Sequence, residues 1–297
     1  MERQRYDPHH AQPMEDLSHV FFTAENRAHA RSRHADPSIH RTILEDCALD
    51  PFLARLFEQA GMDASRYRPN VLQHRLPAAL RRVGVRSTHD AVEKLEKDPG
   101  LVGAALDSVL IGVTGFFRDA EVWDFLAAAL PSLLRTRRRI RALSAGCSGG
   151  QELYSLAILL DEQDVLDESL LLGVDLRVQA IARAESGVID KADADALEAA
   201  GRSRYIQNED VPRVAPRLRR AVQWRLDDIH RLSEGPSWDI ILFRNLAIYL
   251  RCPAPLWERY SRQLSPGGML VTGKAETPPR TLPLCREARC LYRKAAG

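Results

Sequence analysis

The 297-residue chain is short of the features that would fix its class at sight. No apolar run approaches the roughly 18 to 20 residues that a membrane helix needs. The Met-Glu-Arg-Gln-Arg-Tyr-Asp start lacks the apolar stretch of a signal peptide, so the expected location is the cytoplasm, without membrane insertion. Five cysteines, an odd number with no Cys-x-x-Cys pair, argue against a disulfide framework or a structural zinc site and for ordinary buried thiols. Charge of one sign is lacking too. Lys and Arg number 42 against 40 Asp and Glu, and the resulting +2 is too weak a field to wrap nucleic acid. What the chain does have is 45% hydrophobic residues, enough to bury one large core or two modest ones.

Residues 1–43 are polar and aperiodic. They hold six of the nine histidines (His9, His10, His19, His29, His34 and His40) at intervals that repeat no metal-ligand spacing, so a poorly ordered tail without a metal is expected. From 44 to 110 the pattern predicts a small helical domain. Asp50 caps a first helix with Pro51 at its start and Phe52, Leu53, Leu56 and Phe57 on one stripe. A second, from about Asn70, turns Val71, Leu72, Leu76, Leu80 and Val83 inward and Arg75, Arg81 and Arg82 outward, with a kink expected at Pro77. Ser87 opens a third helix, and Asp98-Pro99-Gly100 separates it from a fourth ending at Leu110.

From 111 to 297 the pattern becomes βαβ. Apolar runs at Ile140–Ala145, Ser169–Val174, Ala221–Arg225, Trp238–Phe243 and Met269–Thr272 alternate with helical stretches. Near-continuous apolar strands imply a mostly parallel open sheet, whose ligands bind in loops beyond the carboxyl ends of the strands. The first such loop, Ser144-Ala145-Gly146-Cys147-Ser148-Gly149-Gly150-Gln151-Glu152, is neither the Gly-x-Gly-x-x-Gly fingerprint nor a phosphate loop. Glu152, in the first turn of the next helix, would repel a phosphate but pair with an ammonium group. Asp175 stands after the second strand, where such sheets place an acidic partner for ribose hydroxyls. Ribose plus ammonium without phosphate describes S-adenosylmethionine, although Glu152 serves equally as a plain helix-start acid.

Three segments in order, Thr114-Gly115-Phe116-Phe117-Arg118, Ser144 to Ser155, and Arg244-Asn245-Leu246-Ala247-Ile248-Tyr249, resemble the signature of the CheR-type chemotaxis receptor methyltransferases. The similarity runs from about Phe52 to Lys294. It implies a class I S-adenosylmethionine-dependent methyltransferase fold, Rossmann-like with a mostly parallel sheet, behind a small all-helical domain. It also implies that Thr114, Arg118, Ala145, Glu152, Asp175, Asp227, Asp228, Arg244 and Asn245 bind the cofactor, and that Arg118 and Tyr249 lie nearest the transferring methyl group. By the same resemblance Arg75, Arg81 and Arg82 meet the acidic methylation helices of a chemoreceptor-like partner, and S-adenosylhomocysteine is the product. The chain departs from the pattern at Gly112, Gln151, Leu153 and Lys274, and at Arg177, where a second acid often follows Asp175.

The chemistry agrees with carboxyl methylation. A glutamate has a reference pKa of about 4.3, so it is already ionised at neutral pH and needs no general base. Two other readings stand beside it. One is a CheR-like module that binds S-adenosylmethionine or S-adenosylhomocysteine for signalling with little or no turnover. The other is a nucleic-acid methyltransferase using Arg135, Arg137, Arg138, Arg139 and Arg141; that cluster reads instead as a solvent-facing helix end, and the Asp/Asn-Pro-Pro-aromatic sequence of base-methylating enzymes is missing. The stretch from Tyr205 to Arg217 is too short for the three-stranded subdomain with which some family members dock receptor tails.

Overall fold

A computed structural model of the chain describes residues 48–110, 114–207, 210–232 and 237–295. The expected tail, Cys47 and Gly112 lie outside them. The described residues form one compact unit.

The helical segment follows its sequence signals. In α1 (Pro51–Gln59), Asp50 Oδ1 accepts from the Phe52 N–H at 2.9 Å, and Phe52, Leu53, Leu56 and Phe57 are all buried. Helix α2 (Pro69–Val83) stops where Gly84 turns left-handed at φ +74°, and Pro77 leaves it unbroken. Ser87 caps α3 (Thr88–Lys97), and α4 (Leu101–Val109) completes the group. A further helix, α5 (Ala120–Leu134), leads into the sheet.

The remaining order is β1 (Arg141–Ala145), α6 (Gln151–Asp161), β2 (Leu170–Asp175), α7 (Val178–Ser186), α8 (Lys191–Ala199), β3 (Ile206–Gln207), β4 (Arg213–Val214), α9 (Pro216–Ala221), β5 (Val222–Leu226), β6 (Trp238–Phe243), α10 (Ala254–Gln263), β7 (Leu264–Thr272), β8 (Leu284–Ala288) and β9 (Leu291–Lys294). Seven strands form one sheet in the order β5-β2-β1-β6-β7-β9-β8. The first five are mutually parallel, and β9 runs antiparallel between β7 and β8. The sequence order of the strands reverses between β1 and β6, and there the crevice for a ligand opens.

Alternation along the strands builds two cores. Leu143, Leu172, Val174, Ile241, Phe243 and Leu270 face one side with α1–α4 and α10, while Ala142, Leu171, Ile240, Leu242 and Val271 face the other with α5 and α6. The helical segment thus shares a continuous core with one face of the sheet, where each fully buried large apolar side chain contributes about 1.5–3 kcal/mol.

Three expectations change. Among the described residues Cys147 and Cys290 are buried, but Cys252 and Cys285 are exposed. Arg137 and Arg141 do not belong to a solvent-facing cluster, because Asp239, buried inside the apolar run of β6, needs partners. Arg137 Nε donates to its Oδ1 at 2.8 Å and the Arg141 N–H to its Oδ2 at 2.9 Å. Burial pushes the Asp239 carboxyl up, but hydrogen bonds from Ser265 and Arg141 and the charge of Arg137 outweigh it and hold the group below its ordinary range. Arg75, placed outward by the helix pattern, is half-buried, whereas Arg81 and Arg82 are exposed.

Candidate active site

The loops leaving β1, β2, β5 and β6 converge at the crevice. The small residues after β1 are needed for internal packing: a Cβ on Gly150, itself at φ +89°, would lie 2.6 Å from the Trp224 ring. Ala145 ends β1 in a buried position, and Glu152 follows in the first turn of α6.

Glu152 belongs to a buried ion cluster centred on Arg244, the first residue after β6. Arg244 Nη1 donates to Glu152 Oε1 at 2.6 Å, and Nη2 donates to Asp119 Oδ2 at 2.9 Å and to the Arg118 carbonyl at 3.0 Å. Its side chain has 0% exposure, so Arg244 acts on the crevice through its two carboxylates. Lys274 Nζ reaches the other oxygen of Asp119 at 3.0 Å. Burial raises the Glu152 pKa; the charges of Arg244 and Arg118 pull it down without cancelling the rise, to which Glu276 and Asp119 add. A carboxylate held in this way gains from a further cation, which fits an ammonium group beside it.

Asp175 ends β2 and is buried. It accepts from the Ser148 N–H at 2.9 Å and the Arg177 N–H at 3.0 Å, and Arg177 closes on it through its guanidinium. The Asp227 N–H donates to the Asp175 carbonyl at 3.1 Å, which brings the β5 exit alongside. Asp228 pairs with Arg66 at 3.1 Å. Asp227, Asp228, Leu176, Met62, Arg66 and Tyr67 line a cavity of about 170 Å³.

The loop after β6 is shaped by Glu276, a residue to which the sequence reading assigns no role. Its buried carboxylate accepts from the N–H groups of Asn245 (2.7 Å), Leu246 (2.7 Å), Ala247 (2.6 Å) and Gly273 (2.8 Å). That saturates its roughly four lone-pair sites and holds Asn245 at φ +54°. Asp119 is likewise a site residue not foreseen from the sequence. The Thr114 hydroxyl and the Asn245 amide oxygen are buried without a protein partner. A polar ligand in the crevice would supply what those atoms need, so the residues present fit S-adenosylmethionine.

Tyr249 sits at the end of a short 3₁₀ turn, Ala247–Tyr249. Its carbonyl accepts the Arg68 N–H at 2.9 Å, and the Arg251 N–H donates to the Arg66 carbonyl at 2.8 Å, tying this loop to the start of α2. Burial raises the Tyr249 pKa, while the charges of Arg75, Arg118 and Arg177 oppose the rise. The charges of Arg75 and Arg118 are thus felt at Tyr249, whereas Arg81 and Arg82 lie exposed at the far end of α2.

The sheet order and the four loops at its switch point define a class I S-adenosylmethionine-dependent methyltransferase. The chain belongs to the CheR methyltransferase family: the family described as CheR methyltransferase, SAM binding domain, matches residues 112–285, more than half of the chain. It is similar to a chemotaxis protein methyltransferase of Listeria innocua serovar 6a, 28% identical over 221 residues, covering 73% of this chain and 84% of the relative. A chemotaxis protein methyltransferase of Campylobacter jejuni subsp. jejuni serotype O:2 is 28% identical over 240 residues, covering 79% and 90%. The probable biofilm formation methyltransferase WspC of Pseudomonas aeruginosa is 33% identical over 243 residues, covering 76% of this chain and 56% of that one. Among the described residues no helix is long and apolar enough to cross a membrane, and no cluster of His, Cys, Asp and Glu is built to hold a metal.

Proposed function

We propose that the chain transfers the methyl group of S-adenosylmethionine to glutamate side-chain carboxylates of a chemoreceptor-like protein in the cytoplasm. The observation that carries this reading is the Glu152–Arg244–Asp119 ion cluster at the crevice, beside a Tyr249 loop tied by main-chain hydrogen bonds to the start of the arginine-bearing α2. The positive charge of Arg75 and Arg118 felt at Tyr249 suits an anionic acceptor. Such an acceptor is ionised before it arrives, so no residue has to remove a proton. Bound S-adenosylmethionine supplies a sulfonium methyl, and its passage to the carboxylate oxygen leaves a methyl ester and S-adenosylhomocysteine. Tyr249, a phenol whose ordinary pKa is about 10, keeps its proton at neutral pH, and so donates to the acceptor while Arg118 orients it.

In this reading Glu152 holds the ammonium end of the cofactor and Asp175 the ribose. Thr114, Ala145, Asp227, Asp228 and Asn245 line the rest of the pocket, and Arg244 positions Glu152. Arg75, with Arg81 and Arg82 further along α2, meets the acidic methylation helices. The relatives named for chemotaxis support that acceptor class. The β3–β4 pair, two residues a strand, favours docking on α2 over docking on an added sheet.

Methyl transfer from labelled cofactor to receptor fragments tests the proposal. Base-labile label on glutamates is expected, with R118A and Y249F lowering turnover about 100-fold while S-adenosylhomocysteine affinity stays within about twofold. Binding without any transfer would make the chain a cofactor-binding signalling module; lost binding in either variant would overturn the two roles.

A further inference from the structure

Asp175 accepts four hydrogen bonds. At Oδ1 they come from the Arg177 N–H (3.0 Å) and Arg177 Nε (3.1 Å), and at Oδ2 from the Ser148 N–H (2.9 Å) and Arg177 Nη2 (3.3 Å). A carboxylate offers about four lone-pair sites, so the protein itself fills this one. Two of the donors are backbone groups, fixed by the loop after β1 and the start of α7. The other two are the fork of one guanidinium, which spans both oxygens side-on. The vicinal hydroxyls of a ribose present the same thing, two neighbouring donors to two carboxylate oxygens.

We infer that Arg177 is an internal stand-in for the ribose diol, which the cofactor must displace from Asp175 in order to bind. The inference rests on the reading of Asp175 as the ribose partner. Arg177 can yield without being stranded, because Nη1 also donates to Asp107 Oδ1 at 3.2 Å and to the Leu110 carbonyl at 2.9 Å. Both acceptors lie at the end of α4, so the guanidinium keeps a carboxylate partner after it gives up Asp175. The exchange replaces a charged fork with neutral hydroxyls, which lowers affinity for cofactor and product alike. An acidic or neutral side chain at 177 could not compete in this way. A clamp that only braced Asp175 would have the opposite effect, since its loss would weaken ribose binding.

Calorimetry on the full chain separates these cases, using S-adenosylhomocysteine and its 2′,3′-dideoxyribose counterpart as probes. R177A should bind S-adenosylhomocysteine about tenfold tighter than the parent and the dideoxy compound with affinity unchanged within about twofold. R177K keeps the charge and loses the fork; it should gain about threefold, and it carries the test if R177A does not fold. Equal or weaker S-adenosylhomocysteine affinity in the folded variants overturns the inference, as does an equal gain for both probes. D175N tests the underlying reading separately: unchanged affinity there means that Asp175 does not hold the ribose, whatever Arg177 does.

Discussion

At the amino end of β6 the buried Asp239 is enclosed by Arg137 and Arg141, while just past the carboxyl end the buried Arg244 is enclosed by Glu152 and Asp119. The two clusters have inverted polarity and opposite outcomes. Below the sheet, donors exceed what one carboxylate requires, and Asp239 is held below its ordinary pKa despite burial. Above it, two carboxylates share one guanidinium, with Lys274 on Asp119 alone, and Glu152 stays above its ordinary range. The lower cluster is closed. The upper one balances in charge, but Lys274 sits on Asp119 and burial leaves Glu152 raised, so Glu152 is the member that gains from a cation in the crevice.

The largest expected effect comes from R244M, which leaves Glu152 and Asp119 without their shared partner. Denaturant unfolding should show a loss of about 4 kcal/mol, and calorimetry should show no measurable cofactor binding. D239A follows, at about 3 kcal/mol, because it strands Arg137 and the donors around it. Its cofactor affinity should stay unchanged within about twofold; a loss matching that of R244M would erase the distinction between the two ends. E152Q is the smallest, about 2 kcal/mol of cofactor binding or roughly thirtyfold, with little change in stability. Its pH dependence sharpens the point. On the proposed function the ionised form of Glu152 holds the ammonium, and its pKa is raised, so the parent's affinity should weaken as pH falls, starting above the ordinary glutamate range near about 4.3. E152Q should show a flat profile over the same window.

Much of this frame can be read from the sequence, because strands covered on both faces declare themselves as apolar runs. β6 matches its expected span, and β1 and β2 match within a residue at each end. β8 could not be read in that way: Leu284–Ala288 is an edge strand with no fully buried residue, so its pattern carries no core signal. The first half of β7 was masked by Pro266-Gly267-Gly268, which reads as a turn. Within the Arg135 to Arg141 cluster, Arg135, Arg138 and Arg139 are exposed as charge density suggests, but Arg137 and Arg141 are not. The decisive clue lay a hundred residues away, in an aspartate set within the apolar run of β6. Glu276 was illegible for a related reason, since three of its four partners are backbone groups on a loop about thirty residues upstream. Glu152 and Arg244 stand out in the sequence separately, but not as partners of each other, because that contact exists only after the sheet has assembled.

The short ladder between Arg66–Arg68 and Tyr249–Arg251 has a consequence for selectivity. It is made of main-chain hydrogen bonds, so the span from the basic helix to Tyr249 is a gauge that side-chain drift leaves untouched. On the proposed function, substitutions along α2 would change which acceptor is gripped, while the thickness of acceptor that reaches the phenol would stay the same.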